Sequence, residues 1–262
     1  MSVAAEASSA MRTGPAIISL TLALIAWEAL VRLADIPHYT LPAPSLVLRT
    51  LWLEGPSLWP SWLFTLRITF LGLGLAALGG VAIAVLFALS RRLEAALFPI
   101  AVVLQVTPIV AIAPLILIYV ESTTAALLLC TWVVAFFPIL SNTVLGLRAA
   151  DPHLRDLFTL YGASPWQRLT GLLVPSALPY FLGGLKISGG LALIGPVSAE
   201  MVAGVAGRET GLASRILEAS YRSETPKMFA ALVLLMMTGV AVFALFNALS
   251  RWWIGHWHAS ER

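Results

Sequence analysis

Few residues in this chain could do chemistry, and their positions exclude most reactions before any fold is considered. The four histidines are His38, His153, His256 and His258, and none stands in an HExxH or other ligand spacing, so metal-assisted hydrolysis has no support. The single cysteine, Cys130, sits inside an apolar run, which excludes a disulfide within the chain and a cysteine-based metal cluster. Lys186 and Lys227 follow no GxxxxGK(S/T) loop, so the chain has no phosphate cradle for hydrolysing ATP. What remains is a set of polar residues inside apolar segments. Glu200 is the sharpest of them. Lys186 lies 14 residues away, about 21 Å along a helix, and the neighbours Ser198, Ala199 and Met201 offer no cation. An ionisable group so placed serves a gate or inter-subunit hydrogen bond, a structural role, or direct contact with a polar solute. Lys186 itself begins its apolar run and suits an interfacial anchor or a pathway position. Gln105, Thr107, Pro108 and Pro114 interrupt another run, and Asn142 with Pro138 a third. Backbone groups freed there cannot be satisfied by hydrocarbon, so these segments face protein or a water-filled path.

The elements that carry these residues follow from composition. Of 262 residues, 59% are hydrophobic and 11% charged, against about 45–50% and about 25% in ordinary soluble domains. With a mean hydropathy of +0.90, the chain has too little polar surface to cover a water-soluble globule, and disorder is excluded apart from short ends. Six apolar runs are long enough to cross a bilayer: 16–34, 62–89, 97–119, 123–147, 180–205 and 228–249. The first contains Glu28 and Arg32, four apart and able to pair. At about 19 residues it exceeds a cleaved signal core, so it is read as a retained span. Residues 1–15 read as a flexible end, 16–250 as one membrane domain and 251–262 as a tail.

With the N-terminus inside, eight positive charges (Arg12, Arg91, Arg92, Arg148, Arg155, Arg168, Arg251 and Arg262) fall in cytoplasmic segments. Five (Arg49, Arg208, Arg215, Arg222 and Lys227) fall outside, which places both termini in the cytoplasm. The positive charges are sparse and read as topology signals, not as a nucleic-acid surface. Gly183, Gly184, Gly189, Gly190 and Gly195 keep the fifth run small-faced, for bundle packing or for a pathway. In the outer loop, Ala213, Ile216, Leu217, Ser220 and Tyr221 share one helical face and Arg215, Glu218 and Arg222 another, the pattern of a solvated lid or of a polar docking lip.

The loop 148–179 is too polar to span and too patterned for a plain connection. Asp151-Pro152 is an N-cap followed by proline at the first helical position. Leu154, Leu157, Phe158 and Tyr161 then fall at i, i+3, i+4 and i+7, with Arg155, Asp156 and Thr159 off the stripe. Gly162 supplies the positive φ that ends a helix. Ser164-Pro165-Trp166-Gln167 restarts one with a capping box, and Pro175 and Pro179 are expected to stop it before the next span. Such an elbow either offers an apolar knob to a partner's groove or lies on lipid or on its own bundle.

The run Asp156-Leu157-Phe158-Thr159-Leu160-Tyr161-Gly162, nine residues, then Leu172-Leu173-Val174-Pro175 resembles the EAA loop of binding-protein-dependent ABC importer permeases in spacing. The glycine and proline are kept, and Glu-Ala-Ala is replaced by Asp156-Leu157-Phe158. The likeness extends through Leu41-Pro42-Ala43-Pro44, Thr107-Pro108, Ala113-Pro114-Leu115, Phe136-Phe137-Pro138-Ile139 with Asn142, Tyr161-Gly162-Ala163-Ser164, Gly184-Leu185-Lys186 and Ala199-Glu200. Together these are similar to the sulfonate, nitrate and taurine branch of the methionine-importer-like permeases, with Gly211-Leu212-Ala213 where the family has Gly-Leu-Gly.

The resemblance implies an all-α, polytopic membrane bundle of six transmembrane helices with the type I ABC importer permease fold, in the bacterial cytoplasmic (inner) membrane. It implies a second permease copy, as a homodimer, two ATPase subunits that bind ATP and Mg, and an extracytoplasmic solute-binding protein. The chain itself would hold no cofactor and no metal. Leu154, Asp156, Leu157, Phe158, Tyr161, Gly162, Ala163, Ser164 and Pro175 would form the coupling loop, and Gln105, Thr107, Pro108, Asn142, Lys186 and Glu200 are the pathway or gate candidates. The solute would be a sulfonate, nitrate, taurine or a pyrimidine or vitamin precursor. The alternative reading is a secondary transporter or channel that works without ATP; it calls for paired interrupted helices in the two halves, which are not found.

Overall fold

The computed structural model describes residues 2–204 and 210–254. Residues 205–209, with Arg208 and Glu209, and 255–262, with His256, His258 and Arg262, lie outside the described residues. Among the described residues every regular element is a helix. Helix α1 is Ser2–Leu33, continuing as helix through the end expected to be irregular, where Ala4, Ala5, Ala7 and Ala10 are strong helix formers. Ile17, Leu20, Leu22, Leu24 and Ile25 are exposed all around it, as a helix solvated by lipid allows. Helix α2, Pro44–Leu89, has 46 residues, about 69 Å at 1.5 Å per residue, far more than the ~30 Å hydrocarbon core. It takes in residues 44–61, which precede the second apolar run, with Pro56 and Pro60 inside. Packing holds it there, since Leu58 is buried against Ile216 and Ala231.

The third apolar run is broken. Helices α3, Arg91–Val106, and α4, Ile109–Tyr119, are bent by 102° at Thr107-Pro108. A residue before proline is driven out of the α region, and Thr107 accordingly has ψ 121°. Its N–H and its hydroxyl both donate to the Val103 carbonyl, at 3.1 and 2.7 Å, and close the last turn of α3 before the break. Helix α5, Thr123–Arg148, is the enclosed centre of the bundle. It is followed by α6, Pro152–Leu160, and α7, Pro165–Arg168, then α8, Val174–Leu191, and α9, Ile194–Ala203. Helix α10, Leu212–Tyr221, and α11, Thr225–Ile254, complete the described chain. Among the described residues four helical stretches are long and apolar enough to cross a membrane, and the bent α3–α4 pair makes a fifth when taken as one broken span. The sixth expected run is the apolar part of α1.

Pro175 and Pro179 do not stop the elbow's second helix. Residues Leu169–Leu173 form a π-turn in which the Val174 N–H donates to the Leu169 carbonyl, and the chain runs on from α7 into α8. The wider turn accommodates a proline that has no N–H to give and a ring that crowds the preceding turn.

Small residues set the helix spacing. A Cβ on Gly184 would lie 2.7 Å from the Pro138 carbonyl oxygen and 2.9 Å from Asn142 Cβ, so α8 lies almost backbone-to-backbone on α5. Gly195 of α9 meets the Thr131 backbone in the same way. By contrast, nothing lies within 4 Å of a Cβ at Gly183. Gly184→Ala is therefore expected to cost about 1–3 kcal/mol, because the obstructing atoms include backbone and cannot turn aside. Gly183→Ala should be neutral or slightly stabilising. Thermal unfolding of the two purified variants in mild detergent checks this, and equal melting temperatures would contradict the close approach.

Candidate functional site

At one end of the bundle the elbow is built by local capping. The Asp151 carboxylate accepts from His153 N–H at 2.8 Å, with Pro152 opening α6. Gly162 has φ +64°; its N–H reaches the Thr159 carbonyl at 3.0 Å, and Ala163 N–H the Phe158 carbonyl at 2.9 Å, which closes the helix end. Ser164 and Gln167 then form the reciprocal capping box of α7, at 3.2 and 2.8 Å. Arg168 Nε donates to the Ala163 carbonyl at 3.1 Å and braces the corner.

The elbow is also tied to the bundle, by a residue that the apolar pattern had set aside. Arg155 Nη2 donates to the Leu147 and Arg148 carbonyls at 3.0 and 2.9 Å, capping the C-terminus of α5 where unpaired carbonyls carry partial negative charge. Arg148 in turn pairs with Glu94 of α3. This sets the rotation of α6. Phe158, on the apolar stripe read from spacing, is half-buried, and its ring lies against Gly171. The exposed apolar face is Leu154, Leu157, Leu160 at 86% and Tyr161 at 82%, joined by Trp166 at 70%. Leu160 and Trp166 were missed because neither falls on the stripe chosen from spacing. Their only signal was a large apolar side chain in an otherwise polar loop. Asp156, Ser164 and Pro175 lie along the same elbow, Asp156 and Ser164 exposed.

At the opposite end Glu200 is 3% exposed and acts as a cap. Its Oε2 accepts from Ala213 and Ser214 N–H at 3.1 and 3.2 Å, while Thr65 Oγ1 accepts from Leu212 N–H at 2.9 Å. The first-turn donors of α10 are thus held by side chains from α9 and α2. Gly211, the residue before α10, makes room: a Cβ there would lie 2.5 Å from Thr65 Oγ1 and 2.8 Å from the Glu200 carboxyl carbon. This clamp also fixes which side of α10 turns inward. Leu212, Ala213, Ser214, Ile216 and Ala219 are buried, and Ser220 and Tyr221 are exposed. On its half-buried flank Arg215 donates to Ser61 Oγ at 2.9 Å and to Glu218 at 2.8 Å, and Arg222 pairs with Glu218 at 2.8 Å. The Arg215 hydrogen bond, with Arg222 nearby, holds the Glu218 carboxyl below the usual carboxylate range.

The other pathway candidates are not brought together. Lys186 Nζ donates to Asn247 Oδ1 at 2.6 Å and lies 5.4 Å from the Phe243 ring centre, bridging α8 to α11. Asn142 Nδ2 donates to the Pro138 carbonyl at 2.8 Å within α5. Gln105 and Pro108 are exposed and Thr107 half-buried at the α3–α4 bend. No group of three or more potential metal ligands occurs among the described residues.

The family described as binding-protein-dependent transport system inner membrane component matches residues 76–255. The riboflavin transport system permease protein of Chloroflexus aurantiacus is 34% identical over 93% of this chain and 90% of its own length. The formylaminopyrimidine transport permease protein of Halalkalibacterium halodurans is 32% identical over 90% of this chain and 92% of its own. A crystal structure described as an amino acid ABC transporter with histidines superposes with a TM-score of 0.60 at 17% identity, over 76% of this chain and 94% of that one, and so shares the fold. By family match, relatives and fold together, the chain belongs to the ABC permeases that form the inner membrane component of binding-protein-dependent transport systems.

Proposed function

We propose that two copies of this chain pair around a solute pathway in an ATP-driven importer of the bacterial cytoplasmic membrane. The α6–Gly162–α7 elbow sits in a cleft of each of two cytoplasmic ATPase subunits, which hold the ATP and Mg. An extracytoplasmic binding protein delivers the solute at the α10 end. Both termini lie in the cytoplasm, in keeping with eight positive charges on the elbow side against five opposite. The solute is a small sulfonate, nitrate, taurine or a pyrimidine or vitamin precursor; the riboflavin and formylaminopyrimidine permeases among the relatives support the last two, and aliphatic sulfonate and nitrate permeases the first two.

The observation that carries this reading is the elbow: an apolar, aromatic-bearing face exposed to solvent on a helix that is itself hydrogen-bonded to the end of the central helix α5. A force applied to Leu157 passes along α6 through Arg155 to α5, and one applied to Trp166 reaches it through the Gly162 corner that Arg168 braces. In this reading Asp156 lies on the rim of the docked face and Gly162 with Ala163 and Ser164 sets its angle. Pro175, beside the π-turn, links that angle to α8. Gln105, Thr107 and Pro108 at the bend, with Asn142, Lys186 and Glu200, are the pathway and gate positions.

The test is co-purification with the ATPase subunit encoded beside this gene. Tyr161→Ala combined with Trp166→Ala is expected to lower its recovery more than tenfold, since buried aromatic anchors contribute about 2 kcal/mol or more each to an interface. Unchanged recovery would refute docking through this face.

A further inference from the structure

Between the elbow and the span ends lie two adjoining cavities of about 350 and 870 Å³. Arg91, Arg148 and Arg155 line both, and Arg168 lines the smaller. Glu94, also shared, is the only acid on either wall among the described residues and is engaged by Arg148. The shared wall therefore carries a positive excess. Arg155 Nε is buried and has no acceptor among the described residues, so the cluster has donor capacity that the carbonyls of α5 do not use. Away from the arginines both cavities turn apolar, the smaller against Phe87 and Leu172 and the larger against Phe98 and Leu145.

We infer that this is a binding site for an anionic phospholipid: the headgroup phosphate on the arginines, one acyl chain directed into each apolar lobe. Guanidinium groups match phosphate oxygens in pairs, and basic pockets between membrane helices take anionic headgroups. A free phosphate would account for the arginines but not for two apolar lobes that meet at them. The bound lipid would join the elbow, through Arg155 and Arg168, to the ends of α3 and α5, through Arg91 and Arg148. Any effect on ATPase coupling rests on the function proposed above, whereas lipid binding is measured without an ATPase and fails or succeeds separately.

The experiment is native mass spectrometry of the full chain in detergent, titrated with phosphatidylglycerol, with phosphatidylcholine, and with inorganic phosphate. Phosphatidylglycerol is expected to bind in preference to phosphatidylcholine. Arg91→Gln with Arg168→Gln should weaken it roughly tenfold or more, and Ala88→Trp, which fills the smaller lobe without changing charge, should do the same. Arg92→Gln, next in sequence but lining neither cavity, should leave binding as it is and shows that the bundle tolerates loss of an arginine there. Equal binding of the two lipids, an equal loss in Arg92→Gln, or no loss in Ala88→Trp would each overturn the site. Competition by inorganic phosphate alone at equal concentration would assign the arginines to a free anion and overturn the lipid.

Discussion

Gly162→Val is expected to give a protein that reaches the membrane at wild-type level yet neither couples ATP hydrolysis to uptake nor retains its ATPase partner. The residue has φ +64°, and nothing lies within 4 Å of a Cβ built on it, so the penalty is backbone strain and not collision. The left-handed conformation costs an ordinary residue about 1–2 kcal/mol, and a β-branched one resists it most. The chain can relieve that strain only by unwinding the corner. That would break the Ala163-to-Phe158 and Gly162-to-Thr159 hydrogen bonds and turn the Leu157–Tyr161 face away from Trp166. The spans, held by α5 packing, should be indifferent. Gly162→Asn supplies the control, because asparagine tolerates this conformation, and should keep most of the activity. The readout is binding-protein-stimulated ATP hydrolysis and solute uptake in liposomes at matched protein density. Full coupling in the valine variant would show that the corner's geometry is immaterial.

Glu200→Ala should release the outer helix. The substitution orphans the Ala213 and Ser214 N–H groups at the start of α10, and loss of such a cap costs about 1–3 kcal/mol. Local opening of α10 should rise accordingly, by roughly tenfold or more in amide exchange. Glu200→Gln keeps an acceptor and loses only the attraction of a carboxylate for a helix N-terminus, about 0.3–1 kcal/mol, so its effect should be smaller. Gly211→Val reaches the same end by another route, since its side chain would occupy the space of the Glu200 carboxyl group and Thr65 Oγ1. If Glu200 works as a gate through this clamp, Glu200→Ala and Gly211→Val should both hydrolyse ATP without needing the binding protein. Hydrogen exchange of α10 identical to wild type in both would exclude the clamp; altered exchange with normal transport would confine Glu200 to a structural role.

Much of the elbow was legible because capping is chemistry between residues two to five apart. Asp151-Pro152, Gly162 and the Ser164–Gln167 box act as their types and spacing require, with little said by the rest of the chain. The orientation of α6 was not legible. Its apolar stripe has two edges, and which one turns inward depends on Arg155 finding the carbonyls of α5, a partner seven to eight residues back whose helix end exists only once the bundle has formed. That is why spacing alone does not show Phe158 turned inward and Leu160 outward.

Composition and hydropathy by themselves determined that the chain lives in a bilayer, roughly where it crosses, and that a proline would break the third run. These are properties of solvation and of covalent geometry, and each is decided within a segment. Only the tertiary structure decided the rest. It bends α3 against α4 by 102°, carries α7 into α8 through a π-turn despite Pro175 and Pro179, and turns Ala213 and Ile216 of α10 inward while Ser220 and Tyr221 stay exposed. Glu200, without a partner among its sequence neighbours, finds two N–H donors 13 and 14 residues on. In each case the deciding groups are backbone donors and acceptors at helix ends. Their need for partners is fixed by the covalent chain, but the partner that meets it is chosen by how the helices pack.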